Sequence, residues 1–195
     1  MDPTAAAALF AQTDRELWLV TAAAGPRQSG LIATFVCHAS LPPELPRVLL
    51  AIAKHHQTWQ LIEESGTFAL HLIGEEQLDY VWRFGLASGR DQDKFSGLAV
   101  HRGATGSPLV PEALGWLDCR VEARFDTGDR TAYLAEVVES RLERRDPPLT
   151  MRRMLQLAPP DKLHELRRQR EEDGAIDAAA IRAWRSRSRM TPAGQ

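Results

Sequence analysis

The sequence predicts a mainly β protein, an antiparallel barrel with short helical decorations and a C-terminal helical extension. Three observations lead there. From residue 15 to about 145, short runs of Val, Leu, Thr, Phe and Ala are punctuated by Gly and Pro, a strand-dominated texture. Leu117, Cys119, Val121, Ala123 and Phe125 alternate with Asp118, Arg120, Glu122 and Arg124, the period of a strand with one face in a core and one in water. After Pro147-Pro148 the apolar spacing turns helical. Strands and helices do not alternate strictly, so a doubly wound parallel sheet fits poorly.

Leu17 to Ala24 and Gly30 to Ser40 flank the breaker Gly25-Pro26-Arg27-Gln28 and read as two strands joined by a turn. Val48 to Ala53 is a third strand, apolar enough to be buried on both faces. Trp59, Leu61 and Ile62 predict a short helix from Gln57 to Ser65, closed by Gly66. Thr67 to Ile73 returns to strand, and Leu78, Val81 and Trp82 recur at helical spacing within Glu75 to Phe84. Trp116 to Phe125, the turn Thr127-Gly128-Asp129 and Arg130 to Leu142 form a long hairpin. In the tail, Asp161 caps a helix that Gly174 stops near Asp173, and Asp177 caps another carrying Ile181 and Trp184. The organisation expected is an N-terminal arm over 1–14, a barrel domain over 15–146 and a helical extension over 147–195.

With 195 residues, 44% hydrophobic and 26% charged, the chain can bury one sizeable core. No run approaches the roughly 18 to 20 apolar residues needed to cross a bilayer, and the N-terminus does not read as a signal peptide, so no membrane association is expected. Cys37 and Cys119 read as buried thiols in a reducing cytoplasm, where the protein is expected to reside. A net charge of −2 argues against a nucleic-acid partner. From Arg141 to Gln195, thirteen basic residues meet eight acidic ones, against eleven and eighteen before Arg141. The basic tail is read as a solvated face or as a docking surface for the acidic body or a neighbouring subunit.

No metal site is expected. His55 and His56 are adjacent and on a strand would face opposite ways, and neither cysteine belongs to a Cys-x-x-Cys pair. A Gly-x-Ser-x-Gly elbow and both Gly-rich phosphate loops are missing, so no catalytic residue is assigned with certainty. What stands out is a set of hydroxyls and backbone approaches. Gly30 begins a strand where a flat ligand could approach closely, and Thr34 and Ser40, six apart, share a face. Lys54, His55, His56 and Thr58 end a strand and open a helix, where backbone amides and the helix dipole favour an anion. With Asp93-Lys94-Phe95 in a loop, these are ingredients of a pocket for a phosphorylated aromatic ligand.

Their order carries a resemblance. Leu19-Val20-Thr21, Gly30-Leu31-Ile32-Ala33-Thr34-Phe35, Ser40-Leu41-Pro42-Pro43, Lys54 with Thr58, and Gly66-Thr67-Phe68-Ala69 are followed by four further motifs. These are Asp93-Lys94-Phe95, Gly106-Ser107-Pro108-Leu109, Leu114-Gly115-Trp116-Leu117-Asp118-Cys119 and Gly128-Asp129-Arg130. Over about residues 15 to 142 the chain resembles the flavin reductase-like, FMN-binding split-barrel family. The resemblance implies a split barrel, FMN as cofactor with FAD as the alternative, NADH or NADPH as co-substrate, and a homodimer.

It also implies a cofactor-binding set. Leu31, Ile32, Ala33 and Thr34 would follow the isoalloxazine ring and ribityl chain, and Ser40, Lys54, His55 and Thr58 the ribityl and phosphate. Lys94 and Phe95 would close the site. Three departures stand against the family pattern: Ile32 replaces the usual Thr, the Pro42 to Pro46 loop is longer, and Arg130 replaces the His that follows Gly-Asp. Arg130 becomes the candidate contact for the reductant, able to hold a phosphate but not to titrate as His does. The function implied is hydride transfer from NAD(P)H to bound flavin and on to free flavin or another acceptor. The alternatives are an FMN-binding electron-transfer module reduced by a protein partner, and a barrel scaffold without cofactor.

Overall fold

A seven-stranded antiparallel sheet dominates the computed structural model, which describes residues 3–86 and 93–190; the two ends of the chain and residues 87–92 lie outside the described residues. After the helix α1 (Pro3–Gln12), the chain forms β1 (Trp18–Ala24), β2 (Arg27–Ala33), β3 (Val36–His38) and β4 (Arg47–Ala53). Helix α2 (Gln57–Ser65) leads to β5 (Thr67–Leu72) and to a helical segment α3. That segment is 3-10 over Glu75–Gln77, α over Leu78–Tyr80 and π over Val81–Leu86. A two-stranded ribbon, β6 (His101–Arg102) with β7 (Pro108–Leu109), precedes the hairpin β8 (Gly115–Asp126) and β9 (Arg130–Leu142). Helices α4 (Met151–Leu157) and α5 (Pro160–Met190) complete the chain.

The strand order β2-β1-β5-β8-β9-β4-β3 puts β2 and β3 at opposite edges of the sheet, yet only Thr34 and Phe35 join them. Six strand spacings of about 4.8 Å would separate those edges by roughly 29 Å if the sheet were flat. Two linking residues span only about 10 Å. The sheet therefore curls until its edges meet, and the result is the half-barrel of a split-barrel fold. At the seam the Phe35 carbonyl accepts from the Ala51 N–H at 3.0 Å.

Strand alternation then fills both faces. Val20, Leu50, Ile52, Leu61, Ile62, Phe68, Leu70, Cys119 and Tyr133 pack inside the curl. Leu17, Leu19, Ile73, Tyr80, Val81, Phe84, Phe95, Val110, Leu149 and Met154 form a second core, so α3 and α4 cover the other face of β1. Thr150 caps α4 by accepting from the Arg153 N–H.

Several sequence expectations are corrected. Gly30 to Ser40 is not one strand but two, broken at Thr34-Phe35 by the crossing from one sheet edge to the other. The strand β4 is not buried on both faces: Leu49 is 42% exposed, because only one face turns into the core. In β8, bulges between Asp118 and Cys119 and between Val121 and Ala123 shift the register. Asp118 is therefore buried, accepting from the Thr105 N–H at 2.8 Å and its hydroxyl at 2.5 Å, while Phe125 is exposed. Cys37 lies exposed on the short edge strand β3, and only Cys119 is a buried thiol. Gly174 does not stop a helix; α5 runs straight through it. A mid-helix Gly costs about 1 kcal/mol, too little to end a helix whose flanking residues dock on the barrel.

His71 ties β5 to its neighbours. Its buried ring bonds the Leu19 carbonyl through Nδ1 at 3.1 Å and accepts from the Val110 N–H at Nε2, at 3.0 Å, which requires the neutral ring with its proton on Nδ1. Burial lowers its pKa to about 4 from the ordinary 6.5. The unfolded chain thus binds the proton more tightly between those values, and stability contributed by neutral His71 is lost as pH falls through that window. Urea unfolding at pH 7, 5.5 and 4.5 is expected to show a progressive loss that His71→Asn, weaker at pH 7, shows to a smaller degree.

Candidate functional site

The seam collects the chemistry. Because β4 ends at Ala53 and pairs there with Arg130, the turn Lys54–His56 lies beside the β8–β9 turn, and the Lys54 N–H donates to the Asp129 carbonyl at 3.0 Å. Helix α2 starts immediately afterwards. Its N-cap, His56, makes no side-chain cap, so the first-turn N–H groups receive nothing from it. The Lys54 ammonium meets the Asp126 carboxylate at 2.6 Å, and the Arg130 guanidinium meets Asp129 at 3.2 Å and Asp177 of α5. Phe35 carries guanidinium groups over its ring, Arg130 at 5.1 Å and Arg15 at 5.3 Å.

Along the adjoining edge, β2 has a neighbour, β1, on one side only. The Gly30 carbonyl faces away from β1, since it accepts from the Lys94 ammonium at 3.0 Å. By the period of two, Ile32 turns its N–H and C=O the same way. The edge at Ile32 is therefore suited to lie along a planar ligand, and the chain runs on through Thr34 and Phe35 to the corner that holds Lys54 and Arg130.

The expected site residues divide. Leu31, Ile32, Ala33 and Thr34 line the edge, and Lys54 and His55 stand at the corner, all held by one seam. Ser40 is engaged locally: its hydroxyl donates to the Leu45 carbonyl at 2.7 Å and accepts from the Arg47 N–H at 2.8 Å, closing the Pro42 to Pro46 loop. The break in the strand removes the common face expected for Ser40 and Thr34. Thr58 is buried and donates to the Ser29 hydroxyl at 3.2 Å, which fastens α2 to β2. Lys94 and Phe95 are core residues rather than lids. The ammonium donates to the Gly30 and Phe84 carbonyls, both at 3.0 Å, and the Phe95 ring packs on Phe84 at 5.3 Å. The close approach at Gly30 is also internal, because a Cβ there would stand 2.9 Å from the Phe84 ring.

The tail supplies residues that sequence reasoning placed elsewhere. Asp173 and Asp177, one helical turn apart on α5, lie 3.2 Å from His55 Nε2 and 3.8 Å from Nδ1. Burial pushes the Asp177 carboxyl up despite Arg130 beside it. At Gly128 a Cβ would stand 2.7 Å from Trp184, and the Gly φ of 98° also excludes other side chains, so this turn is shaped to seat α5. The i, i+4 spacing of the two aspartates was visible, but only a continuous helix through Gly174 turns it toward His55. An open groove lined by Arg27, Glu64, Arg102 and Thr105 lies at the opposite end of α2 and shares none of these residues.

The fold has counterparts in known proteins. A family model described as "Flavin reductase like domain" matches residues 10–156, and the chain belongs to that family. It is 36% identical over 120 residues to the reductase subunit HsaB of a flavin-dependent monooxygenase from Rhodococcus jostii, covering 57% of this chain and 60% of that protein. A flavin reductase of Pseudomonas putida is 29% identical over 123 residues, covering 63% of this chain and 69% of that one. Among solved structures, a homologue of nitrilotriacetate monooxygenase component B from Mycobacterium thermoresistibile superposes with a TM-score of 0.67 at 27% identity, covering 76% and 82% of the two chains. The aligned part thus spans less than two thirds of HsaB.

Lys94 offers a test of how β2 is held. Burial lowers its pKa to about 8 from the ordinary 10.5. Between those values the unfolded chain binds the proton more tightly, so Lys94 costs stability below pH 8 and the cost is relieved as pH rises. Urea unfolding at pH 7.5 and 9.5 is expected to show a gain at the higher pH that is smaller in Lys94→Met.

Proposed function

We propose that this chain is an NAD(P)H-dependent flavin reductase that carries hydride from a nicotinamide nucleotide to a flavin, FMN by preference, and on to free flavin or another acceptor. The observation that supports it most is the corner at the head of α2, where Lys54, Arg130 and a first helical turn with no side-chain cap stand at the end of the edge of β2. A phosphorylated planar ligand needs those two features side by side.

The fit with a flavin is sound at this corner. Lys54, the Thr34 hydroxyl and the uncapped first turn of α2 would hold the phosphate end. Lys54 already bonds Asp126, but that carboxylate is 57% exposed, and exposed pairs are worth about 0 to 1 kcal/mol. A phosphate dianion gaining charge-assisted bonds from the ammonium and the helix N–H groups displaces it. The outward N–H and C=O of Ile32 would order the ring, flanked by Leu31 and Ala33, whose backbone groups are turned toward β1. Ser40, Thr58, Lys94 and Phe95 act one layer behind, holding the loop, the helix and the edge in place. When bound, the flavin supplies the hydride chemistry itself, and these residues bind and orient it.

Arg130 holds a reductant's phosphate in this reading once it exchanges Asp177 for the nucleotide. Reductase-subunit relatives support the further proposal that the acceptor is flavin used by a separate oxygenase. Exposed Leu41, Leu45 and Leu49 beside the seam are apolar surface of the kind a second copy covers, which supports a homodimer. No described helix is long and apolar enough to cross a membrane.

The test is the visible spectrum of the FMN-loaded protein without oxygen, on adding NADH and then NADPH. Bleaching by one nucleotide is expected, with Arg130→Ala raising the nucleotide concentration for half-reduction by roughly tenfold, the worth of one charge-assisted contact. Bleaching by dithionite alone would overturn the reductase reading in favour of a module reduced by a protein partner.

A further inference from the structure

We propose that His55, His56 and Asp173 form a binding site for a divalent transition-metal ion of zinc type, which clamps α5 onto the barrel. On a strand the two adjacent histidines would face opposite ways. The structure ends β4 at Ala53 and puts both in the turn before α2, with ring centroids 4.2 Å apart and planes inclined at 49°. Their ligand atoms and a carboxylate oxygen of Asp173 all lie within 4.8 Å of one another.

The donor set and the spacing suit zinc. Two ligands about 2.05 Å from a tetrahedral ion stand about 3.3 Å apart. The separation of His55 Nε2 and Asp173 Oδ1 is 3.2 Å. No hydrogen bond joins them, and Nε2 is shielded from solvent without a hydrogen-bond partner. A nitrogen and a carboxylate oxygen at this separation are spaced as two ligands of one ion.

The outer shell is also present. If Nε2 binds the ion, His55 Nδ1 carries the proton, and the Asp177 oxygen at 3.8 Å faces it. That oxygen, Oδ1, is buried without a hydrogen-bond partner, while the other oxygen of Asp177 is held by Arg130. A carboxylate behind a ligating imidazole fixes its tautomer and orientation. Two neutral histidines and one carboxylate leave a fourth position for water, and this mixed nitrogen and oxygen set selects zinc-like ions over calcium or magnesium.

The site does not depend on flavin binding, and its test does not use activity. Untagged full-length protein carrying Cys37→Ser, so that the exposed thiol does not compete, would be stripped with a chelator and titrated with zinc chloride against a chromophoric zinc indicator. One zinc per chain is expected, with Asp173→Asn weakening it at least tenfold, and cobalt is expected to give the visible bands of a four-coordinate site. Zinc should also raise the thermal midpoint of the parent and not of Asp173→Asn. His56→Gln serves if Asp173→Asn fails to fold, as judged by circular dichroism. No zinc uptake by the parent, or equal affinity in the variant, overturns the proposal.

Discussion

Closure of the sheet by two residues is the constraint on which the rest of the molecule depends. Thr34 and Phe35 connect strands that the hydrogen-bond order places at opposite edges. Only a strongly curled sheet satisfies both facts. That curl brings the end of β2 against the end of β4, and so puts an edge backbone beside the head of α2 and the turn between β8 and β9. Buried residues behind the seam resist its opening: Thr58 fastens α2 to Ser29, and Lys94 fastens β2 to the π-helical part of α3.

Charge at the seam is arranged the other way round from the chain's overall distribution. The tail is basic and the body acidic, yet α5 docks through Asp173 and Asp177 onto His55 and Arg130 of the body. The basic residues of the tail act elsewhere, as in Arg153 with Glu75 on α3. Net charge by segment therefore says little about how the pieces meet. Asp177, half-buried beside the Arg130 guanidinium, sets the position of α5 rather than adding stability, because burial costs its carboxylate more than the pairing returns.

Much of this was legible in the sequence. Alternation and turn residues marked the β8–β9 hairpin, and the apolar spacing with Gly66 delimited α2 to the residue. The ordered motifs include Leu31 to Thr34 and Lys54, which the curled sheet brings to one seam. What failed did so for tertiary reasons. Ser40, Thr58, Lys94 and Phe95 are the right residue types for a ligand, but their side chains are engaged within the chain, Ser40 by the nearby Leu45 carbonyl and the others by Ser29, Gly30 and Phe84. Local spacing does not reveal a break at Thr34-Phe35, since nothing there is a breaker residue. Propensity alone makes Gly174 a stop, whereas the packing of Trp184 on Gly128 carries α5 through it.

The most direct measurement is the affinity for FMN against that for riboflavin, which lacks the phosphate, in the parent chain and in Lys54→Ala. If the corner at the head of α2 holds the phosphate, FMN binds at least about tenfold more tightly than riboflavin, the worth of one charge-assisted contact, and most of that difference disappears in the variant. Equal affinity of the parent for the two flavins, or a preference for FMN that Lys54→Ala leaves intact, would contradict the account.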